Sequence, residues 1–276
     1  MYPLIEVFGR SIGTYGLCAF VGFAVSVLVA YLVSREKKVT VDDLLLLALS
    51  VGVGIFLGGH LLYALTRPDL WRAFFTGAPS FWGFLSRLGE IFGGMVFYGG
   101  FLGGFCAVLL FTRFSGAIPR AYVLDLYALT TPLFHAFGRL GCFFGGCCYG
   151  KEWSWGVYIE ENPINPSVAG VVRFPVQLFE AGYNLLIFGF LLFLFCKKRA
   201  GGKLLTVYLL LYPAARFILE FFRGDEIRGF FLGLSTSQWI SLALFAWSIL
   251  SAYRRFRQEQ DRKNAPDKEK GDAKTA

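Results

Sequence analysis

Seven stretches of the chain are almost unbroken runs of apolar side chains, at residues 14–34, 41–65, 92–113, 122–143, 175–196, 203–222 and 237–253. Each falls in the range of roughly 17 to 25 residues that a helix needs to cross a bilayer. In lipid a spanning segment must satisfy its own backbone hydrogen bonds, which leaves helices and closed barrels. Runs of this length without strict alternation predict an all-α, multi-pass membrane helix bundle of about seven transmembrane helices. Three segments break the pattern. Residues 66–90 carry Trp71, Phe74, Phe75, Phe81, Trp82 and Phe84 among polar positions; this suits an arm resting in the membrane interface and screening a lipid entrance, or an ordinary aromatic belt. Residues 144–174 form a long loop in which 153–159 reads as a short strand and Asn162-Pro163 as a turn. Residues 258–276 are charged, include Pro266, have no apolar period and read as a disordered tail. One membrane-embedded domain over 1–257 accounts for the rest.

Charge sets the orientation. The chain of 276 residues is 55% hydrophobic and only 17% charged, with a formal net charge of +8. That excess does not mark a nucleic-acid surface, because its placement is periodic: Arg35, Lys37 and Lys38; Arg113 and Arg120; Lys197, Lys198, Arg199 and Lys203; and Arg254, Arg255 and Arg257 follow the first, third, fifth and seventh runs. The positive-inside rule then puts the N-terminus outside and the C-terminus in the cytoplasm, with the arm and the long loop on the outer side. The start, Met-Tyr-Pro-Leu-Ile-Glu, lacks the basic region of a cleavable signal peptide.

Ionisable residues inside such runs are expensive and point to a site. His60, Asp125, His135, Arg139, Glu180, Arg216, Glu220 and Arg223 all fall in or at the ends of the runs. Spacings of four and three place Arg216, Glu220 and Arg223 on one face of a helix. With Arg139, these residues form either a receptor for a phosphate diester, which arginine meets with a planar fork of donors, or a structural network of buried ion pairs. Glycine pairs at 58–59, 93–94, 99–100, 103–104 and 145–146 allow helices to approach closely. Of the six cysteines, Cys142, Cys147 and Cys148 cluster. A disulfide from Cys142 to Cys147 or Cys148, buried free thiols, and a zinc site lacking a second well-spaced cysteine pair are the alternatives.

The run Gly-Arg-Leu-Gly-Cys-Phe-Phe-Gly-Gly-Cys-Cys-Tyr-Gly at 138–150 resembles the signature of the bacterial prolipoprotein diacylglyceryl transferases, commonly Gly-Arg-Ile-Gly-Asn-Phe-hydrophobic-Asn-Gly-Glu-x-x-Gly. Further pieces follow in that family's order: Tyr15-Gly16-Leu17, Tyr98-Gly99-Gly100, Asp125 with Pro132, Pro175-x-Gln177-Leu178-x-Glu180, Arg216 to Arg223, and Gln238-x-x-Ser241. Only the tail lies outside this resemblance. It implies an enzyme of the bacterial plasma (inner) membrane that moves the diacylglyceryl group of phosphatidylglycerol to the lipobox cysteine thiol of a prolipoprotein signal peptide, releasing glycerol 1-phosphate. Membrane lipid and that peptide are the implied partners, with no nucleic acid, metal or organic cofactor. Arg139, Arg216, Tyr98 and Glu220 are the implied catalytic residues; Arg223, Tyr15, Gly99, Gly100, Gly138, Cys142, Gln177 and Glu180 are the implied substrate-binding ones.

The departures concentrate on one half of the chemistry. Tyr98 stands where the family has a histidine that could serve as base, and tyrosine, with a reference pKa of about 10, is a poor base near neutrality. Cys142, Gly145 and Cys147 replace two asparagines and a glutamate, and His60 replaces an arginine. The phosphate-binding residues match and the thiol-activating ones do not. This leaves, beside the lipoprotein transferase, a diverged paralogue that uses the same lipid with another acceptor, a non-catalytic lipid-binding protein, and a redox protein of the membrane.

Overall fold

A computed structural model describes residues 2–7, 9–35, 39–76, 80–116, 118–162, 166–198, 201–224 and 229–264. Lys37, Lys38, Pro163, Arg199 and the tail beyond Asn264 lie outside the described residues. The chain is a membrane protein of the all-α class: helices α1 (Thr14–Ser34), α2 (Val41–Leu65), α3 (Pro68–Phe75), α4 (Phe81–Ile91), α5 (Phe97–Phe114), α6 (Arg120–Gly145), α7 (Val176–Cys196), α8 (Leu204–Leu219) and α9 (Thr236–Asn264). Each of the seven apolar runs contains a helix, although the run at 92–113 becomes helical only at Phe97. Among the described residues, five segments, α1, α2, α5, α7 and α8 with its extension to Phe222, are long and apolar enough to cross a membrane. Helix α6 is diluted by its buried polar residues, and α9 by the basic end that continues it to Asn264, into the stretch expected to be tail. Large apolar side chains such as Phe20, Leu49 and Leu186 face outward from their helices, as lipid-facing positions should.

Among the described residues, three small antiparallel pairs interrupt the helices: β1 (Leu4–Val7) with β2 (Arg10–Gly13), β3 (Glu152–Tyr158) with β4 (Val172–Arg173), and β5 (Phe230–Phe231) with β6 (Leu234–Ser235). The strand expected at 153–159 is β3, shifted by one residue; the N-terminal hairpin has no apolar alternation and was not anticipated. The aromatic arm folds into α3 and α4, where Trp71, Phe74, Phe75 and Phe84 make a chain of ring contacts. Phe75, Phe81 and Trp82 stay exposed, in keeping with an interfacial position.

The chain divides into two compact units. One contains Ala19–Phe134 and Leu192–Leu204; the other contains Met1–Cys18, His135–Leu191 and Leu205–Ala276. In the first unit α2 and α5 pack through glycines. A Cβ on Gly99 would strike the Gly58 carbonyl oxygen, and one on Gly103 the Gly54 carbonyl oxygen. Gly54 and Gly58 on α2 thus face Gly99 and Gly103 on α5, two small-xxx-small pairs that bring backbone against backbone. An apolar cluster of Leu44, Leu47, Val108, Phe111, Val123 and Leu126 adjoins this contact. Asp125, one of the polar residues within the runs, has a structural task there: its carboxylate accepts the backbone N–H groups of Gly202 at 2.7 Å and Leu204 at 3.0 Å, satisfying orphan donors at the start of α8. In the other unit Ser235 and Gln238 form a reciprocal capping box that opens α9, with Ser235 N–H donating to Gln238 Oε1 and Gln238 N–H to Ser235 Oγ.

Candidate active site

The residues brought together in the second unit come from α6, α7 and α8. Arg139 lies one turn after His135 on α6, and its Nε donates to His135 Nε2 at 3.2 Å. Across from them Glu180 on α7 is the hub: Arg139 Nη2 lies 3.0 Å from Oε1, Arg216 Nη1 3.2 Å from Oε2, and His135 Nε2 3.7 Å from Oε1. Arg216 spends its other terminal nitrogen on Glu220 Oε2, 2.7 Å away at i,i+4. All five side chains are buried. One carboxylate shared by two guanidiniums, each from a different helix, fixes both forks without neutralising both charges.

Sequence spacing anticipated a single helical face carrying Arg216, Glu220 and Arg223. The structure corrects this: α8 ends at Leu219, Glu220–Phe222 is a turn of 3-10 helix, and Arg223 is extended (φ −77, ψ 141). The cause is a strand-like clasp. Arg223 bridges to Gly150; Lys151 N–H donates to the Phe222 carbonyl at 2.9 Å and Gly224 N–H to the Tyr149 carbonyl at 3.0 Å. A Cβ on Gly224 would lie 2.6 Å from the Gly150 carbonyl oxygen, and one on Gly150 would strike the Phe174 carbonyl oxygen, so glycine is required at both places. Phe174 stacks on Phe222 at 4.9 Å and on Phe179 at 4.8 Å, tying the long loop to α7 and to the turn after α8. Arg223 is buried with the other arginines; it reaches the cluster through the loop rather than along the helix.

The three clustered cysteines lie beside this group. All six cysteines are free thiols, which removes the expected disulfide. Instead the sulfurs of Cys142, Cys147 and Cys148 lie within 4.8 Å of one another. The chain turns back on itself to do this: Gly146 N–H donates to the Phe143 carbonyl, Cys147 N–H to the Cys142 carbonyl at 3.1 Å, and buried Gln177 holds the Cys147 carbonyl through Nε2 at 2.9 Å. Cys148 adopts a positive φ of 55, a conformation that side chains other than glycine rarely take. Hydrogen bonding from Cys142 and from Cys147 holds the Cys148 thiol well below the usual thiol range, and Arg139 and Arg223 add to this.

The remaining sequence candidates are placed as follows. Tyr15 is in the first turn of α1, and a Cβ on Gly141 would lie 3.1 Å from its Cα. Gly138, between His135 and Arg139 on α6, has nothing within 4 Å of where a Cβ would sit, so no close approach explains it. Tyr98, Gly99 and Gly100 open α5 in the other unit; Gly99 and Gly100 pack against α2 there. Gln177 is a positioning residue for the cysteine turn. The i,i+4 spacing of His135 and Arg139 is the sequence signal for their contact. The central role of Glu180 had no such signal, because it depends on α6 and α8 meeting α7.

Fold and site together define an all-α membrane protein with buried, paired arginines suited to an anionic group. Residues 3–254 match the family described as prolipoprotein diacylglyceryl transferase, and the chain belongs to that family. It is 32% identical over 248 residues to the phosphatidylglycerol–prolipoprotein diacylglyceryl transferase of Clostridium tetani, covering 87% of this chain and 91% of that one. Similar matches are the Clostridium perfringens protein named phosphatidylglycerol–prolipoprotein diacylglyceryl transferase 2, at 31% over 251 residues (89% and 91%), and the Campylobacter jejuni transferase, at 31% over 256 residues (89% and 90%).

Proposed function

We propose that this chain transfers the diacylglyceryl group of phosphatidylglycerol to the lipobox cysteine thiol of prolipoproteins, at the outer side of the bacterial plasma membrane. The observation that carries this reading is the Arg139–Glu180–Arg216–Glu220 network within a chain of this family. The single negative charge of a phosphodiester is of the sign that buried guanidiniums receive. Arg139 and Arg216 meet the phosphate oxygens with two donors each. As the carbon–oxygen bond to the diacylglyceryl carbon breaks, the departing phosphate gains a second charge, and Arg223 adds the donor that meets it. Glu180 and Glu220 are positioning residues, holding the guanidiniums in one geometry before lipid arrives.

Complementation of cells depleted of their own transferase tests the assignment. Rescue by the wild-type chain and failure of Arg139→Ala are expected; lipid transfer at wild-type rate by Arg139→Ala would end it. The proposed topology is seven spans with the N-terminus outside and residues 144–174 outside. Single cysteines at Ser167 and Ala273 test it with an impermeant thiol reagent on intact cells. Ser167→Cys should label and Ala273→Cys should not; the opposite pattern inverts the protein.

A further inference from the structure

We propose that Cys142, Cys147 and Cys148 form a three-thiolate site for a zinc ion, and that its open fourth position takes the acceptor thiol. The second half of this proposal rests on the transferase reading above; the metal site itself does not. The three sulfurs already lie within 4.8 Å of one another. Zinc–sulfur bonds of about 2.3 Å set tetrahedral sulfurs roughly 3.8 Å apart, so closure needs sulfur shifts on the order of 1 Å.

The backbone holds the donors from two directions. Cys142 sits in the last turn of α6, and the turn after it brings Cys147 back beneath its carbonyl, pinned by Gln177. Cys148 is held at positive φ, the local strain that persists where surroundings over-determine a functional geometry. Three sulfur donors select a soft d10 cation over magnesium or calcium. Three protein ligands leave one tetrahedral position for an exchangeable group, the pattern of catalytic rather than structural zinc.

A thiol that enters this position is deprotonated outright by the metal, its proton passing to water, so no base is required of Tyr98. The sulfur lone pair then forms the S–C bond to the diacylglyceryl carbon while the C–O bond to phosphate breaks. The electron pair leaves on the phosphate oxygen, where Arg139 and Arg216 receive it. The product is a neutral thioether, a weaker zinc ligand than a thiolate, and water can displace it.

The full-length chain, purified in detergent under reducing conditions, tests both halves. Elemental analysis should find about one zinc per chain, lost in Cys142→Ser and in the Cys147→Ser/Cys148→Ser double variant, and kept in Cys106→Ser and Cys196→Ser. Replacing zinc by Co2+ in the wild-type chain avoids reliance on variants that fold poorly: a sulfur-to-cobalt charge-transfer band and intense tetrahedral visible bands are expected. A lipobox peptide should raise the charge-transfer absorbance by roughly a third, as three thiolates become four, and its cysteine-to-serine analogue should not. Substoichiometric zinc that ignores the cysteine variants, or a disulfide among the three trapped by alkylation in intact cells, overturns the metal site. A tetrahedral cobalt spectrum that the peptide leaves unchanged overturns the acceptor role. Zinc held as expected by a chain that fails to complement would refute the transferase reading and leave the metal site standing.

Discussion

Two helix contacts in this molecule are built on opposite principles. Between α2 and α5 the side chains are absent: Gly54 and Gly58 face Gly99 and Gly103, and the backbones touch. Between α6, α7 and α8 the contact is made by the tips of long charged side chains, Arg139 and Arg216 converging on Glu180. In a bilayer both are answers to one problem, since lipid is as apolar as leucine and no hydrophobic drive brings helices together. The glycine contact gains close packing and carries no charge, so it can serve only as scaffold. The charged contact is costly to assemble from water or lipid, and replacing such a cluster by apolar residues can be neutral or stabilising. Such a cluster is therefore weak evidence for stability.

The largest effects should come from breaking the charged side. Glu180→Gln leaves Arg139 and Arg216 without their shared counter-charge; loss of one partner of a buried pair costs about 3–5 kcal/mol, read as a fall in thermal unfolding temperature, with transfer activity lost by at least two decades. If Glu180→Gln instead unfolds and turns over like wild type, the network is not what holds the arginines. Next comes Arg139→Lys, which keeps the charge and loses the fork. It should reduce kcat/KM by one to two decades, on the order of 1.4–2.7 kcal/mol of transition-state stabilisation, while the unfolding temperature moves little.

The glycine side should respond the other way round. Gly103→Ala places a Cβ against the Gly54 carbonyl oxygen, and overpacking of this kind costs roughly 1–3 kcal/mol. Unfolding should come earlier, with activity per folded molecule unchanged; a selective loss of kcat would show that α2 and α5 do more than pack. Tyr98→Phe should cost about 1–3 kcal/mol in kcat/KM if the hydroxyl orients substrate, without altering the pH profile; loss of a titration from that profile would return proton transfer to Tyr98. The smallest change is expected at Gly138, within the charged helix but facing open space. Gly138→Ala should raise stability by about 0.5–1 kcal/mol through helix propensity, and a loss of binding there would reveal a close approach of lipid to that position.

The helices were readable because their cause is local. Lipid demands long apolar runs, and the boundaries of α1 and α2 coincide with the runs at 14–34 and 41–65. Family membership was readable for a similar reason, since the arginine and glycine pieces occur in order along the chain. The end of α8 was not: residues 220–223 continue the helical period in sequence, but pairing with 149–151 unwinds them, and that pairing joins positions about seventy apart. Nor was the fate of the cysteines readable, because their spacing suits a disulfide as well as a metal site.

The sequence by itself determined that this is a membrane-spanning helical protein of the diacylglyceryl transferase family, because hydrophobic length and residue order do not depend on how helices meet. It also determined which charges had to be answered, because an arginine in an apolar run needs a partner wherever it lies. Only the tertiary structure decided who answers. Glu180 takes both Arg139 and Arg216, Asp125 caps α8, Gly99 packs against α2, and Cys148 turns its thiol toward Cys142 and Cys147. Ion pairs, caps and sulfur clusters act over a few ångströms, and which groups come that close is set by how separate helices and loops pack.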